Sequence, residues 1–295
     1  MLSCGRQTAK LVAFGKKLWY TYRMKKKIGE GKVAVVTGGS SGIGRELVTD
    51  LRAYGYTVAC VSRSAPENAD CDFFACDLSD RDARENTARE IATKYKNVHL
   101  LVNNAGLGVS GATELIPEES VRYVLEVDYF APLLFTRALL PAMPAGGKIV
   151  MISSACALFA LPYRNVYCSA KAALNMLAYG LRMELARSKI CVVSICPGDI
   201  KSNFTAHRLK YTDTNSRYGG AVLSAQQKVD DREHKRMNLR KTGEKIAKIA
   251  VKKKKALYIV GAKYKLLYFC SRIFSQNFML RLTRKFFGGT EKADL

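Results

Sequence analysis

The stretch "VAVVTGGSSGIGREL", residues 33–47, constrains this chain more than any other. Val33 to Val36 form an apolar, β-branched run of the kind that becomes a buried strand. A glycine-rich turn follows at once, and then the start of a helix. Gly38 lets the chain turn, while Gly42 and Gly44 let the backbone approach a pyrophosphate and pack the helix closely on the strand. Ser40, Ser41 and Ile43 complete the loop, and the unpaired amides of the helix N-terminus suit an anion. A strand, a phosphate-holding turn and a helix in this order belong to folds in which parallel strands alternate with helices.

The rest of the chain keeps that alternation. "TVACVS", "FFACD", "VHLLVNNAG", "KIVMISS" and "ICVVSICPG" are short apolar runs, separated by helical stretches at 80–96, at 118–141 and from Tyr167 onward. Runs of this length between helices are the signature of a parallel sheet covered on both faces. The reading is an α/β fold, a doubly wound Rossmann fold with a parallel sheet, in one domain over residues 32–262. Residues 199–240 are polar and without strong periodicity, and an irregular insertion of that length reads as a substrate lid. "KTGEKIAKIAVKKKKALYIVG" then reads as a helix and a last strand.

The net charge of +23 is unevenly spread. Residues 1–32 carry nine Lys/Arg against one acid, residues 33–231 carry 21 against 20, and residues 232–295 carry 18 against four. A nearly neutral body therefore has two strongly basic ends, a basic N-terminal extension (1–31) and a C-terminal tail (263–295). The tail places Leu267, Cys270, Phe274, Phe278, Leu282 and Phe286 at steps of three or four, the spacing of an amphipathic helix. The head has Leu11, Phe14, Leu18 and Tyr22 at similar steps, which fits an interfacial helix or an organelle transit segment. No apolar stretch approaches the ~18–20 residues that a spanning helix needs. Basic, aromatic-bearing ends suit an anionic membrane surface, and the expectation is peripheral membrane association. Nucleic acid is not expected as a partner, because no recognition helix or base-stacking motif accompanies the charge.

The nine cysteines form no CxxC pair, and their number is odd. With His99, His207 and His234 far apart in sequence, neither a zinc cluster nor a disulfide framework is suggested, and no metal is expected. An intracellular, reducing compartment fits.

The second strand ends "CVSRS". An acid at its tip would bond an adenosine ribose hydroxyl, but Ser62 and Arg63 stand there, which points to NADP(H) over NAD(H).

"TGGSSGIG", "NNAG" at 103–106, Ser154 thirteen residues before Tyr167, the Tyr167-x-x-x-Lys171 helix and "PG" at 197 together resemble the short-chain dehydrogenase/reductase family, over roughly residues 32–202. The resemblance implies a hydride transfer between a nicotinamide and a carbonyl or secondary alcohol. Tyr167 would give the proton, Lys171 would favour the tyrosinate and bind the nicotinamide ribose, and Ser154 would hold the substrate oxygen. It further implies that Asp77 and Leu78 border the adenine. Asn104, Ala105 and Gly106 would flank the cofactor, and Pro197, Gly198 and Ile200 would pass the nicotinamide. Ser202 stands where the family usually has a threonine bonding the carboxamide. Basic tails within the family suggest a hydrophobic substrate, such as a steroid, retinoid, sphingoid or other lipid carbonyl, and a homodimer or homotetramer.

Two departures stand out. The family pattern puts asparagine at 128 and glycine at 131, where this chain has Asp128 and Ala131. An ionised Asp128 near Lys171 would partly offset the cation and push the tyrosine pKa back up. The competing reading is therefore a catalytically impaired relative that acts as a cofactor sensor or as a membrane or nucleic-acid binding module. The second departure is "SAPENADC" between Arg63 and Asp77, too short for the helix common there, so that a loop leaves the adenine end open.

Overall fold

The computed structural model describes residues 27–67, 70–202, 204, 206–212, 217–218, 220–230 and 236–288. The helix expected in the basic head, His234 and parts of the expected lid lie outside the described residues.

Seven strands form one parallel sheet: β1 (Val33–Thr37), β2 (Thr57–Ser62), β3 (Asp72–Ala75), β4 (Leu100–Asn103), β6 (Lys148–Ile152), β7 (Cys191–Pro197) and β9 (Leu257–Val260). Their order across the sheet is β3-β2-β1-β4-β6-β7-β9. Two short strands, β5 (Val109–Ser110) and β8 (Leu209–Lys210), pair in parallel apart from it. Successive strand residues face opposite sides of a sheet, so each strand feeds two cores. Ala34 and Val36 meet α1 (Gly42–Ala53) and α7 (Leu239–Lys252) through Leu47, Leu51 and Ile246. Val35 and Leu101 meet α2 (Arg81–Tyr95), α4 (Ala131–Leu139) and α5 (Asn165–Glu184) through Ile91, Phe135, Leu139 and Leu174. The doubly wound fold is thus the one expected.

Lys148 is a buried cation with a structural task. Its Nζ donates to the carbonyls of Ala250 (2.7 Å), Val251 (3.3 Å) and Lys253 (2.9 Å), closing the C-terminal end of α7. Such carbonyls have no partner within their own helix, and a cation there also meets the negative end of the helix dipole.

The structure departs from the sequence reading in three places. The long helix at 118–141 is α3 (Glu118–Leu125), a π-helical turn over Glu126–Phe130, and then α4. Pro132 at the start of α4 has no amide for the carbonyl one turn earlier, so the wider turn relieves the ladder there. The segment 199–240 is not irregular throughout, since it contains β8 and the helix α6 (Ala221–Asp230). The tail is two helices rather than one, α8 (Ala262–Ile273) and α9 (Gln276–Phe287). Ser275 ends the continuity by accepting a hydrogen bond from the Phe278 amide, 3.3 Å, as the N-cap of α9.

The residues by which the tail is buried lie outside its apolar stripe. Met279 and Thr283 are buried, whereas Phe274, Phe278 and Phe286 are exposed, together with Leu266, Phe269 and Ile273. No helix among the described residues is long and apolar enough to cross a membrane.

Candidate active site

The strand order reverses between β1 and β4, and at such a switch point the loops leaving the strands diverge and open a crevice. Here the crevice encloses about 560 Å³, within the roughly 300–1,000 Å³ usual for small-molecule sites. The glycine turn forms one wall. Gly38 and Gly42 have φ of +64° and +52°, which a side chain would strain. A Cβ on Gly44 would overlap the Gly38 carbonyl, so Gly44 lies beneath the loop and lets α1 close on β1. Ser41 is the N-cap of α1 but makes no side-chain cap bond, and the first turn holds no acid. An uncapped helix end, open space above Gly42 and no competing carboxylate fit a pyrophosphate. Ser40, Ser41, Gly42 and Ile43 all line the crevice.

β1 and β4 are locked together beneath it. Asn104 Nδ2 donates to the carbonyls of Thr37 (3.0 Å) and Gly38 (3.1 Å), and the amides of Asn104 and Ala105 donate to Thr37 Oγ1. Ala105 and Gly106 then face the cavity. At the tip of β2, the Ser62 hydroxyl donates to the Ser64 carbonyl, 2.8 Å, while Arg63 is exposed and lines the crevice. Asp77 and Leu78 border the same end. Burial pushes the Asp77 carboxyl up, but the Ser79 hydroxyl and amide and the Arg63 charge hold it, on balance, below its ordinary value. The described residues between Arg63 and β3 contain no helix, as the short spacing predicts.

Ser154, Tyr167 and Lys171 meet at the far end. Ser154 follows β6 and opens a short 3₁₀ turn, accepting from the Cys156 amide at 3.1 Å. Tyr167 lies in the first turn of α5, and the Lys171 Nζ stands 5.8 Å from its ring centroid. Lys171 and Asp128 are both buried, with Nζ 3.4 Å from Oδ2. Asp128 Oδ1 accepts from the Leu107 amide at 2.6 Å. Oδ2 has no hydrogen-bond partner among the described residues, so its contact with Lys171 is an ion pair without hydrogen-bond alignment. Burial raises the Asp128 pKa, against the pull of Lys171 and the Leu107 amide.

The expectation that Lys171 makes the phenol labile meets an opposing balance. The Tyr167 pKa is raised: burial is the largest cause, followed by the charges of Cys156 and Asp128, while the Ser154 hydroxyl and Arg208 act downward. Asp128 thus lies behind Gly106 as a counter-charge and is not part of the crevice lining.

Pro197, Gly198, Ile200 and Ser202 border the cavity beyond β7. A Cβ on Gly198 would overlap the Tyr264 ring, and the Tyr264 hydroxyl donates to Asp199 Oδ2. Tyr264 on α8 and Phe287 at the end of α9 both line the crevice. The sequence reading missed these two residues. Their helical spacing was visible, but nothing local indicates that the helices after β9 fold back over the site. From the segment expected to be a lid, Phe204, Arg208 and Val229 also face the cavity.

A parallel sheet with a glycine turn at its switch point defines a Rossmann-type nucleotide-binding protein. Residues 32–212 match the family model for short chain dehydrogenase, more than half of the chain, and the chain belongs to that family. It is 29% identical over 227 residues to a 3-ketodihydrosphingosine reductase of Bacteroides thetaiotaomicron, covering 75% of this chain and 84% of that one. It is 34% identical over 206 residues to dehydrogenase/reductase SDR family member 7B of Rattus norvegicus, covering 63% of each. A solved short-chain dehydrogenase from Streptomyces avermitilis superposes with a TM-score of 0.71 at 27% identity, over 86% of this chain and 97% of that one.

Proposed function

We propose that this chain is an NADP(H)-dependent oxidoreductase that moves a hydride between nicotinamide and the carbonyl or secondary alcohol of a hydrophobic, lipid-like substrate. The observation that carries the reading is the convergence of Ser154, Tyr167 and Lys171 in one crevice with the glycine turn. The loop Gly38–Gly44 would hold the pyrophosphate, Arg63 the adenosine 2′-phosphate, and Lys171 the nicotinamide ribose. When bound, NADP(H) supplies or accepts the hydride.

The chain's own residues do the rest. Ser154 Oγ donates to the substrate oxygen and shares the charge that develops on it. Tyr167 gives its phenolic proton to that oxygen in reduction and takes one back in oxidation. The raised pKa keeps the phenol protonated near neutrality, the form that reduction uses. Phe204 and Phe287, from the lid segment and the tail, give the substrate end an apolar lining.

The tail supports a membrane reading of the substrate. α8 and α9 carry Lys263, Lys265, Arg272, Arg281, Arg284 and Lys285 and no acid, beside the exposed rings of Phe269, Phe274, Phe278 and Phe286. Basic charge around exposed apolar side chains suits shallow insertion into an anionic bilayer, with Lys and Arg worth about 1 kcal/mol each near its surface. The name of the Bacteroides thetaiotaomicron relative, a reductase of a sphingoid ketone, agrees with a long-chain carbonyl substrate. The test is NADPH consumption against a library of hydrophobic ketones presented in anionic vesicles. Turnover of lipid ketones is expected, and no turnover of any carbonyl with either nicotinamide cofactor would overturn the reading.

A further inference from the structure

Hydride transfer to a plain lipid ketone needs no cation beyond Lys171, yet Arg164, Arg208 and Arg236 also line the crevice. Arg236 has a structural contact, because its guanidinium donates to the Val229 carbonyl at 2.9 Å, near the end of α6. Arg164 is different. It is half-buried and stands at the N-cap of α5, where Ser, Thr, Asp or Asn is usual and a cation meets the positive end of the helix dipole. Its side chain makes no capping bond, the first turn holds no acid, and no carboxylate among the described residues pairs with it. Beside it a small void of about 10 Å³ is bordered by Leu161, Val229 and Phe287, all of which also line the crevice. Arg164 therefore stands in a largely apolar wall without a counter-ion. A half-buried charge in such a place is costly until an anion joins it.

Arg208 reaches the reaction centre from the small sheet. The Leu209 amide donates to the Gly108 carbonyl, 2.9 Å, where β8 pairs with β5. A Cβ on Gly108 would lie 3.1 Å from Phe204 Cε1 and 3.3 Å from Arg208 Nε, so both side chains pack down on this glycine. The centroid of the Phe204 ring is in turn 6.0 Å from that of Tyr167. The Arg208 charge accordingly acts downward on the Tyr167 pKa. Two carboxylates line the crevice, but Asp77 lies at the adenine end and Asp199 accepts from the Tyr264 hydroxyl. The end that would receive the substrate is thus apolar and cationic together.

We propose that Arg164 and Arg208 select a substrate whose reacting carbonyl or alcohol lies close to an anionic group, a carboxylate or a phosphate, on an otherwise apolar molecule. A guanidinium matches either oxyanion with two parallel hydrogen bonds. Phe204 and Phe287 then meet the apolar part. In reduction NADPH gives hydride to the carbonyl carbon and Tyr167 gives a proton to its oxygen, which leaves NADP⁺ and the alcohol. The anion is held and unchanged. The same two cations repel a ketone that carries an ammonium group at that position.

This proposal rests on the hydride-transfer reading above, and its test separates the two. Ketones of one medium chain length carry, at the same position, a carboxylate, a phosphate monoester, a neutral amide or a primary amine. They are used below micelle-forming concentration and without vesicles, so that the basic tail does not concentrate them at a surface. For each, kcat/KM with NADPH is measured, and binding to the full-length protein is followed by calorimetry. The carboxylate or the phosphate ketone should exceed the neutral one by at least about tenfold in kcat/KM, the worth of one charge-assisted hydrogen bond, and the amine should be poorest. In Arg164→Gln and in Arg208→Gln that preference should shrink by about tenfold or more, while the Kd for NADPH stays within a few-fold. Equal use of the neutral ketone by the wild type, a preference that survives both substitutions, or a loss confined to NADPH binding would overturn the proposal and leave the hydride-transfer reading standing. Binding of the anionic ketones that depends on Arg164, in a protein that reduces no ketone, would support the anion site and refute hydride transfer.

Discussion

The Nζ of Lys171 lies 3.4 Å from Oδ2 of Asp128, and both side chains are withdrawn from solvent. The cation expected to tune Tyr167 therefore faces a carboxylate before it faces the phenol. The π-helical turn carries Asp128 to this position, and the Leu107 amide fixes its other oxygen. Buried charges interact strongly because little water screens them. The Asp128 charge is one of the causes that raise the Tyr167 pKa, so under the proposed mechanism it bears on the pH range in which Tyr167 acts.

Replacing Asp128 with asparagine should move the pH dependence of alcohol oxidation. Under the proposed mechanism Tyr167 must be deprotonated in that direction, so the rate climbs with pH through its pKa. Asp128 raises that pKa, and Asp128→Asn should shift the climb to lower pH by about one unit, the lower end of the effect of one nearby charge. A stability readout accompanies it. The folded pKa of Asp128 is raised above its ordinary 3.8, so its contribution is fully present below that value and is lost as pH rises through the folded pKa. Denaturant unfolding across acidic pH should show a loss in the wild type that the variant lacks. An unmoved rate profile would mean that the carboxylate does not reach the phenol.

Under the proposed function, cofactor choice turns on Arg63. It is exposed at the tip of β2 and lines the adenine end of the crevice. Arg63→Asp should lower kcat/KM with NADPH by roughly ten- to a hundredfold, the worth of one charge-assisted hydrogen bond of ~1.5–3 kcal/mol, and should spare NADH. Steady-state kinetics with both cofactors check this, and an unchanged ratio would place the phosphate elsewhere.

The tail can be tested without removing it. Tyr264 and Phe287 line the crevice, and Met279 and Thr283 pack inward, so deletion of residues 263–295 would damage the site itself. Phe274 and Phe278 face solvent with ring centroids 4.8 Å apart. Phe274→Asp with Phe278→Asp should weaken sedimentation with anionic vesicles by roughly tenfold or more, since each apolar side chain withdrawn from water is worth about 1.5–3 kcal/mol. Turnover of a short, water-soluble ketone should persist. Undiminished vesicle binding would remove this face from the membrane.

Much of the fold was legible because parallel strands buried on both faces carry unbroken apolar runs, and Val33–Val36 or Leu100–Val102 admit few other readings. Loop residues of the crevice were legible because local backbone demands fix them, as the positive φ of Gly38 and Gly42 does. The π-helical turn was not foreseen, although Pro132 was the signal for it. Tyr264 and Phe287 were illegible for a different reason. Their place in the site comes from how α8 and α9 pack back on the sheet, and periodicity alone does not specify which face of a helix meets which neighbour.

The most direct test of the central claim is the turnover of Tyr167→Phe, set against its binding of NADPH. Phenylalanine keeps the ring and removes only the exchangeable proton. The rate of ketone reduction should fall by roughly 10²–10⁴-fold, the contribution of a positioned general acid, while NADPH titration gives a Kd within a few-fold of the wild type. Reduction at the wild-type rate by Tyr167→Phe would contradict the account.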